Sequence, residues 1–204
     1  MKVFRGKCVN NVDDFMNDEQ AGLIANCIKG DEAAIVQLVQ EHQLGVFRVA
    51  LSVLNDPGEA NEVAQDTFIA VLRSIKSFRE VSTFKAWLYR IALNISRSRL
   101  RKRKALGRLQ RTLISLFEVQ SRSSQNLEDI FISDEEDAII WKAIEKLGEK
   151  HRIPIVLRYY HELSVAEIAE IMGLKEGTVH SRLSIGREKL RLQLGGLRKT
   201  TGEK

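Results

Sequence analysis

The sequence contains few of the residues that interrupt helices or form disulfide and metal sites. Among its 204 residues are two prolines and two cysteines, and only 6% are aromatic. Cys8 and Cys27 stand alone, without a CxxC pair or a His-rich neighbour. We interpret them as free thiols of a reducing compartment and predict neither a disulfide nor a metal site. Long helical patterns with so few interruptions predict an all-α protein.

Several functional classes have little support in the sequence. No run of about 18 apolar residues is present, so no segment is expected to insert into a membrane. The first residues, MKVFRGKCVNNVDD, lack the apolar centre of a signal peptide, which predicts a cytoplasmic protein. Residues 161–165, HELSV, begin like a zinc-protease motif, but position 165 is Val where a second His is required. Because a glycine-rich phosphate loop and a carboxylate cluster are also missing, an enzyme acting on nucleic acid has little support.

What the sequence has is a basic surplus arranged in blocks. The net charge is +5 and the pI about 9.3. Residues 97–111 carry eight basic and no acidic side chains, whereas residues 128–137 carry six acidic and no basic ones. A basic surplus favours an anionic partner such as nucleic acid, although many basic proteins bind none.

Apolar periodicity predicts three helices in the first half of the chain. The first covers residues 33–54, with Asp31 as its N-cap, and ends at the turn formed by residues 55–58. The second runs from about residue 59 to 76, and the third, which Ser82 can cap, continues to about residue 104. The third helix has an apolar stripe that we expect to be buried, formed by Phe84, Trp87, Leu88, Ile91, Ala92 and Ile95.

A Ser-rich stretch of weak periodicity divides the chain into two helical domains. We predict a loosely ordered segment over 1–17, a first domain over 18–105, a linker over 106–133, a second domain over 134–197 and a tail over 198–204. A short helical piece is expected around residues 109–119. The linker has 28 residues and reaches roughly 90 Å at about 3.3 Å per residue, so the domains are expected to be flexibly tethered.

Residues 162–191, ELSVAEIAEIMGLKEGTVHSRLSIGREKLR, have the pattern of a helix-turn-helix. Ser164 and Glu167 form a capping box that starts a short helix, and Gly173 suits a left-handed residue at its end. The longer helix that follows has an apolar stripe formed by Val179, Leu183, Gly186 and Leu190. An ordinary helical hairpin has the same pattern, so this stretch alone leaves DNA binding open. Pro154, inside the preceding helical pattern, predicts a kink or a restart of that helix.

The third helix offers a second candidate nucleic-acid surface. Its solvated side carries Arg90, Asn94, Arg97 and Arg101 at spacings of four, three and four. An aromatic residue, Phe78, precedes this helix in a loop that we expect to be exposed. Exposed aromatics beside cations suit unstacked bases, because each base has a π-face and each nucleotide a phosphate. The alternative is that Phe78 packs on the core and the cations are merely solvated.

Two long stretches resemble a known family. The stretch DPGEANEVAQDTFIAVLRSIKSFREVSTFKAWLYRIALNISRSRLRKR resembles region two of the extracytoplasmic-function sigma factors of bacterial RNA polymerase, and LRYYHELSVAEIAEIMGLKEGTVHSRLSIGREKLR resembles their region four. The resemblance covers about residues 20–105 and 134–195. It implies a protein that is not an enzyme, uses no cofactor, binds the clamp and flap regions of core RNA polymerase and directs the polymerase to promoter DNA. An anti-sigma factor is a further expected partner.

The resemblance implies that the first domain recognises and melts the minus ten promoter element. The loop from Phe78 to Ser82 matches the family loop that captures a flipped base, and Asn94 matches a residue of the pocket for that base. An Asn amide suits this role because it both donates and accepts hydrogen bonds. The complete expected minus ten surface is Phe78, Arg79, Ser82, Arg90, Asn94, Arg97 and Arg101.

Two further surfaces follow from the resemblance. The second predicted helix matches the family helix that makes the main contact with the polymerase clamp. Its acidic groups suit a protein partner better than a phosphate. The expected contact residues are Glu59, Glu62, Gln65 and Asp66. The last helix is expected to read the minus thirty-five element in the major groove through Lys175, Thr178, His180, Ser181, Arg182, Ser184 and Arg187. His180 replaces the usual Lys or Arg of the family, and Ile185 stands where a basic residue is common. We therefore expect a different promoter preference.

Two alternatives remain open at this point. A stand-alone helix-turn-helix regulator would need dimer symmetry and would not need the Phe78 loop. A helical scaffold that binds only proteins would leave the basic run unexplained. Run-off transcription with core polymerase separates both from a sigma factor.

Overall fold

The computed structural model describes residues 18–78, 83–114 and 135–200, and these residues form an all-α fold, as predicted. The helices are α1 Asp18–Lys29, α2 Glu32–Leu54, α3 Pro57–Ser74, α4 Phe84–Ile114, α5 Glu135–Glu145, α6 Glu149–Tyr159, α7 Val165–Met172 and α8 Glu176–Thr200. A 3-10 turn, Ile75–Ser77, follows α3. The expectations for residues 1–17, for Arg79 and Ser82, for the linker beyond residue 114 and for residues 201–204 lie outside the described residues.

Side-chain caps fix the starts of α2 and α3. Asp31 accepts hydrogen bonds of 2.9 and 3.2 Å from two backbone N–H groups in the first turn of α2, which confirms its predicted role. Asp56 accepts a 2.9 Å hydrogen bond from the first turn of α3, which has Pro57 as its first residue. Between these helices Asn55 adopts a left-handed conformation, with φ of 53°, and ends α2.

Both ends of α4 differ from the prediction. Thr83 acts as its N-cap, because its Oγ1 accepts a 3.2 Å hydrogen bond from the N–H of Ala86; this is the role that the sequence pattern assigned to Ser82. At the other end α4 continues to Ile114, so the predicted boundary at residue 105 falls inside a helix. The basic run explains the extension, since Arg, Lys and Leu are good helix formers and no proline interrupts them.

Helices α1 to α4 form the N-terminal domain, in which α2, α3 and α4 pack on one another. The predicted stripe of α4 lies in this core: Phe84, Leu88 and Ala92 are buried, and the other three members are partly buried. The buried arc of α4 is wider than predicted and also includes Tyr89 and Leu93. It is wider because α4 contacts α7 as well as α2 and α3.

Helices α5 to α8 form the C-terminal domain, in which α6 and α7 pack on α8. The helix α6 runs through Pro154 without a restart, which corrects that part of the prediction. Pro154 lacks the N–H that would bond the carbonyl of Lys150. Lys150 is exposed, so water can satisfy that carbonyl and the helix continues.

The helix-turn-helix has the predicted local chemistry. Ser164 Oγ accepts a 3.2 Å hydrogen bond from the N–H of Glu167, and Glu167 Oε2 accepts one of 2.8 Å from the N–H of Ser164. Gly173 ends α7 with a positive φ of 65°. These contacts confirm the capping box and the left-handed turn. The predicted inner stripe of α8 is buried along its whole length, at Val179, Leu183, Gly186 and Leu190.

The two domains are docked on each other. Helix α6 lies against α2 and α7 lies against α4, and the buried apolar residues of both domains form one core. Arg152 of α6 crosses this boundary: it is 7% exposed and donates hydrogen bonds to the carbonyls of Ser52 and Val53 near the C-terminal end of α2. Both expected helical domains are therefore present, but the sequence did not predict that they pack together.

Candidate nucleic-acid and protein interfaces

The predicted basic face of α4 is present and borders the C-terminal domain. Three of its four predicted residues are exposed, Arg90, Asn94 and Arg101. Arg97 is half-buried, and desolvation lowers the pKa of its guanidinium; Glu149 opposes this effect and Arg182 adds to it. Arg97 thus lies within electrostatic reach of the C-terminal domain, including a residue of the predicted recognition helix.

Phe78 is not the exposed aromatic that the sequence predicted. Its ring is half-buried, and its centroid lies 5.3 Å from the ring of Trp87 and 5.5 Å from that of Phe84. Burial of a large ring beside two others is favourable, so the chain turns Phe78 back onto the start of α4. The expected exposure is wrong, and a base contact by this residue stays a prediction.

The first turns of α4 make polar contacts with the C-terminal domain. Thr83 Oγ1 lies 3.1 Å from Glu167 Oε1, and Arg90 Nη1 lies 3.2 Å from Glu170 Oε1. Lys85 Nζ donates a 2.9 Å hydrogen bond to the backbone carbonyl of residue 161. The face that the sequence assigns to promoter DNA is therefore partly occupied by α7 and the loop before it.

His161 lies in the loop before α7 and packs against Tyr89 of α4, with 4.5 Å between ring centroids. Its Nε2 is buried and has no hydrogen-bond partner among the described residues. Desolvation, together with the nearby cations Lys85 and Arg48, lowers the pKa of His161 to about 3. The imidazole is consequently neutral in this docked arrangement at pH 7.

The acidic face of α3 divides into paired and exposed residues. Glu59 Oε2 lies 2.8 Å from Arg103 Nη1, and Glu62 Oε2 lies 2.7 Å from an Arg99 nitrogen. Both arginines belong to α4, so these two acids bind within the N-terminal domain. Gln65 and Asp66 are exposed on the same helix. The predicted polymerase surface is thus brought together on α3, with half of it engaged in structural ion pairs.

The predicted minus thirty-five residues lie on α8 and the turn before it. Six of the seven are exposed: Lys175, Thr178, His180, Ser181, Ser184 and Arg187. Arg182 is half-buried, and its carbonyl lies 3.2 Å from Nδ1 of His151 in α6. Ile185 is 45% exposed, so its side chain is accessible. The resemblance led us to expect a basic residue near this position.

Arg152 is a functional candidate that the sequence reasoning missed. Besides its contacts with α2 carbonyls, of which the shorter is 2.6 Å, it donates to Asn55 Oδ1 at 2.7 Å and to the carbonyl of Glu145 at 3.0 Å. The last turn of α2 contains no basic residue, so its negative end lacks a cation of its own. The absence of a basic residue from the last turn of α2 is visible in the sequence and indicates that this helix end needs a cation from elsewhere. It does not identify Arg152 as that cation.

Within the described ranges, no group of three or more His, Cys, Asp or Glu side chains is placed to hold a metal ion. Cys27 is buried and has a free thiol, and desolvation raises its pKa. In those same ranges the helices are too short or too polar to cross a membrane.

Comparison with known proteins assigns both domains. Residues 38–106 match the family described as sigma-70 region 2, and residues 137–190 match the family described as sigma-70, region 4. These stretches coincide with the α2–α4 unit and with the α5–α8 unit.

Whole-chain relatives agree with this assignment. The ECF RNA polymerase sigma factor SigW of Bacillus subtilis is 35% identical over 174 residues, which cover 83% of this chain and 93% of the relative. The ECF RNA polymerase sigma-E factor of Escherichia coli is also 35% identical over 174 residues, covering 81% and 89%.

Two solved structures share the fold. The sigma factor RpoE of Bartonella quintana, in complex with the anti-sigma factor NepR, matches with a TM-score of 0.61 and 26% identity over 78% of this chain and 95% of the other. CnrH, in complex with the cytosolic domain of CnrY, matches with a TM-score of 0.59 and 27% identity, covering 85% and 96%. With both regions matched in order, the chain belongs to the extracytoplasmic-function group of the sigma-70 family and is an RNA polymerase sigma factor that directs transcription initiation.

Proposed function

We propose that this sigma factor opens promoters through α4 and reads the upstream element through α8, while α3 binds core polymerase. The observation that carries the proposal is the row on α4 in which the exposed amide of Asn94 stands between two arginines, Arg90 and Arg97. The protein contributes binding surfaces, and the polymerase performs the chemistry without a cofactor from this chain.

The row on α4 suits a flipped base and its phosphates. Asn94 is exposed four residues after Arg90 and three before Arg97, so all three share one side of the helix. The amide can donate to and accept from one base edge, whereas the arginines can bind the flanking phosphates. Extrusion of a base costs a few kcal/mol, which such contacts can offset.

The contact with polymerase centres on Gln65 and Asp66. Both are exposed on α3, whereas Glu59 and Glu62 already bind arginines of α4. An acidic surface repels promoter phosphates, so a protein partner suits it better. Glu59 therefore helps to hold α3 against α4 within the N-terminal domain. Gln65 and Asp66, further along α3, remain available to the clamp.

The start of α8 suits the major groove of the upstream element. His180, Ser181 and Ser184 are exposed and offer hydrogen-bonding groups to base edges, and Arg187 is exposed further along the helix to bind phosphate. The accessible Ile185 side chain suits a thymine methyl group.

An anti-sigma factor is a further partner in this proposal. One structural relative, RpoE of Bartonella quintana, is a sigma factor solved in complex with an anti-sigma factor, and another, CnrH, was solved in complex with the cytosolic domain of CnrY. Both matches cover most of this chain, which supports a similar helical framework for such a partner to bind.

Run-off transcription with core polymerase on a library of genomic fragments tests the function. We expect transcripts with the wild-type protein, and about tenfold less promoter opening by permanganate footprinting with Asn94→Ala, since one good base contact is worth about 1–3 kcal/mol. Asn26→Ala, at an exposed position of α1, is the matched control and should behave as wild type. Tight sequence-specific duplex binding by the free protein, without transcripts, would instead indicate a stand-alone regulator.

A further inference from the structure

We infer that His151 is a positioning residue for the last helix: from α6 it fixes the rotation of α8 and so aligns the side chains that read the upstream promoter element. His151 is 4% exposed, so it does not itself face DNA. It acts through the backbone of α8. This role rests on the reading function proposed for α8, whereas the contact between His151 and α8 does not.

A polar contact joins the sides of α6 and α8 that face each other. Nδ1 of His151 lies 3.2 Å from the backbone carbonyl oxygen of Arg182. A carbonyl oxygen only accepts hydrogen bonds, so Nδ1 carries a proton and donates it. Desolvation lowers the pKa of His151; the hydrogen bond opposes this effect, and the cations Lys189, Lys150 and Arg182 add to it. The imidazole is therefore neutral at pH 7, with its single proton on Nδ1.

Gly186 allows α8 to lie close enough to α6 for this hydrogen bond. A Cβ atom added at Gly186 would lie 2.9 Å from Cγ1 and 3.2 Å from Cδ1 of Ile155 in α6. Carbon atoms that pack without strain are about 3.5–4.0 Å apart. A side chain at position 186 would therefore push the two helices apart and move the imidazole away from its acceptor. In an α-helix the N–H of residue 186 bonds the carbonyl of residue 182, so the close approach and the hydrogen bond act at one turn of α8.

The hydrogen bond from His151 supplies a directional contact between the two helices. The apolar stripe of α8, with Val179, Leu183 and Leu190, is buried. Apolar packing is non-directional, so it holds the helices together without specifying one rotation of α8 about its own axis. A hydrogen bond to a single carbonyl weakens steeply when its distance or angle changes. The imidazole therefore favours one rotation of α8 over its neighbours.

The rotation of α8 determines whether its outer side chains reach base edges. Ser181 and Ser184, which stand on either side of Arg182 in the sequence, are exposed. Side-chain tips lie about 5–6 Å from a helix axis, so a rotation of about 10° moves them by about 1 Å. A base contact of about 2.9 Å that lengthens by about 1 Å is no longer a hydrogen bond. Loss of the donor at His151 should therefore weaken the reading of bases.

Contacts with phosphates are less sensitive to the same movement. Arg187 is exposed and has a long side chain that can follow a phosphate displaced by about 1 Å, and electrostatic attraction falls only slowly with distance. Loss of the His151 hydrogen bond should therefore lower discrimination between sequences while affinity for an unrelated sequence is kept. General destabilisation of the domain would instead lower affinity for both sequences.

Two substitutions of His151 separate the hydrogen bond from the packing. His151→Asn keeps a donor, because the amide nitrogen of Asn is as many bonds from Cβ as Nδ1 is, whereas His151→Leu places a methyl group there. Val156→Ala, at a buried position of α6, is the control for lost packing with the imidazole retained. Wild-type and variant holoenzymes are each titrated with a duplex that carries the upstream element of the strongest run-off promoter, and with the same duplex after this element is scrambled.

We expect the ratio of matched to scrambled affinity to fall about tenfold in His151→Leu, the discrimination that one good base contact supplies. Affinity for the scrambled duplex should change by less than about twofold, since phosphate contacts carry it. His151→Asn and Val156→Ala should keep the ratio within about threefold of the wild type, because a donor is retained in both. An unchanged ratio in His151→Leu, or an equal loss in all three variants, would overturn the inference.

NMR of the wild-type protein decides the matter if His151→Leu loses helix content. Long-range proton–nitrogen spectra, assigned by comparison with His151→Asn, show which ring nitrogen carries the proton. We expect Nδ1 at pH 7, and a proton on Nε2 alone would refute the positioning role. Failure of the proposed function has a different result: the wild-type holoenzyme would bind both duplexes equally. If the wild type discriminates and His151→Leu does so equally well, reading by α8 stands and the role of His151 fails.

Discussion

At the scale of single residues, Phe78 and Asn94 have different roles although the sequence placed them on one surface. Phe78 packs against Phe84 and Trp87, whereas Asn94 is exposed. We expect Phe78→Ala to lower the free energy of unfolding by about 1.5–2.5 kcal/mol, half the cost of truncating a fully buried Phe. Denaturant titration measures this, and Asn94→Ala should leave the midpoint unchanged. Equal free energies of unfolding for the two variants would show that the packing of Phe78 in the aromatic cluster does not stabilise the domain.

Two residues of α8 should differ in how they bind DNA. Arg187 is exposed and cationic, so Arg187→Ala should weaken binding to every sequence and reduce the salt slope by roughly 0.9, because one phosphate contact is lost. His180→Ala should cost about 1–3 kcal/mol on the preferred sequence and little on others. A polymerase-bound complex, titrated on matched and scrambled upstream elements over a salt series, measures both. An equal loss on both elements would show that His180 does not read a base.

At the scale of helices, the exposed end of the α3 face can be altered without breaking its ion pairs. Gln65→Lys with Asp66→Lys should lower binding to core polymerase at least about tenfold, through repulsion at an electrostatic contact. The helix keeps its buried side and its Glu59–Arg103 pair, so circular dichroism should not change. The matched control is Gln37→Lys with Glu41→Lys, which changes the net charge by the same amount at exposed positions of α2. Equal pull-down of polymerase by both variants would show that the α3 face is only solvated.

The helix caps and the buried stripe of α8 are the structural features of this protein that could be predicted from its sequence. Asp31, the Ser164–Glu167 box and Gly173 act within one turn of their own positions, so their patterns predicted the observed caps. The inner stripe of α8 was predictable for the same reason, because 3.6-residue periodicity is local. Docking of Arg152 depends on residues far away in sequence, such as Ser52, and no local pattern contains that information. Burial of Phe78 depends on Phe84 and Trp87, only six and nine residues later, and the sequence pattern left this packing open as the alternative to exposure.

At the scale of the whole molecule, the docking of the two domains on each other should depend on pH through His161. Its pKa is about 3 when docked, and we expect an ordinary value near 6.5 when the domains separate. Because the pKa is lowered in the docked arrangement, docking is fully favoured above about pH 6.5 and is weakened as the pH falls below that value. Below that pH the free energy of docking weakens by about 1.4 kcal/mol per pH unit, which is a tenfold change in the ratio of docked to separated molecules.

The groups that face this imidazole do not change charge in that range: Lys85 and Tyr89 lie on α4 and Arg48 on α2. Small-angle scattering between pH 7.5 and 5.5 measures the opening. Burial also lowers the pKa values of His42 and His151, so acid weakens each domain as well. His161→Gln isolates the docking effect and should flatten the pH response. An unchanged response in this variant would assign the effect to the other histidines.

The two arginines that bind the C-terminal end of α2 are synthesised at different times. Arg103 donates to the carbonyl of Leu54, and Arg152 donates to those of Ser52 and Val53. A ribosome makes the first arginine 49 positions before the second, which takes about 2 to 10 seconds at about 5–20 residues per second. The carbonyl of Leu54 can therefore gain a cation from within the N-terminal domain before Arg152 of the C-terminal domain has been made.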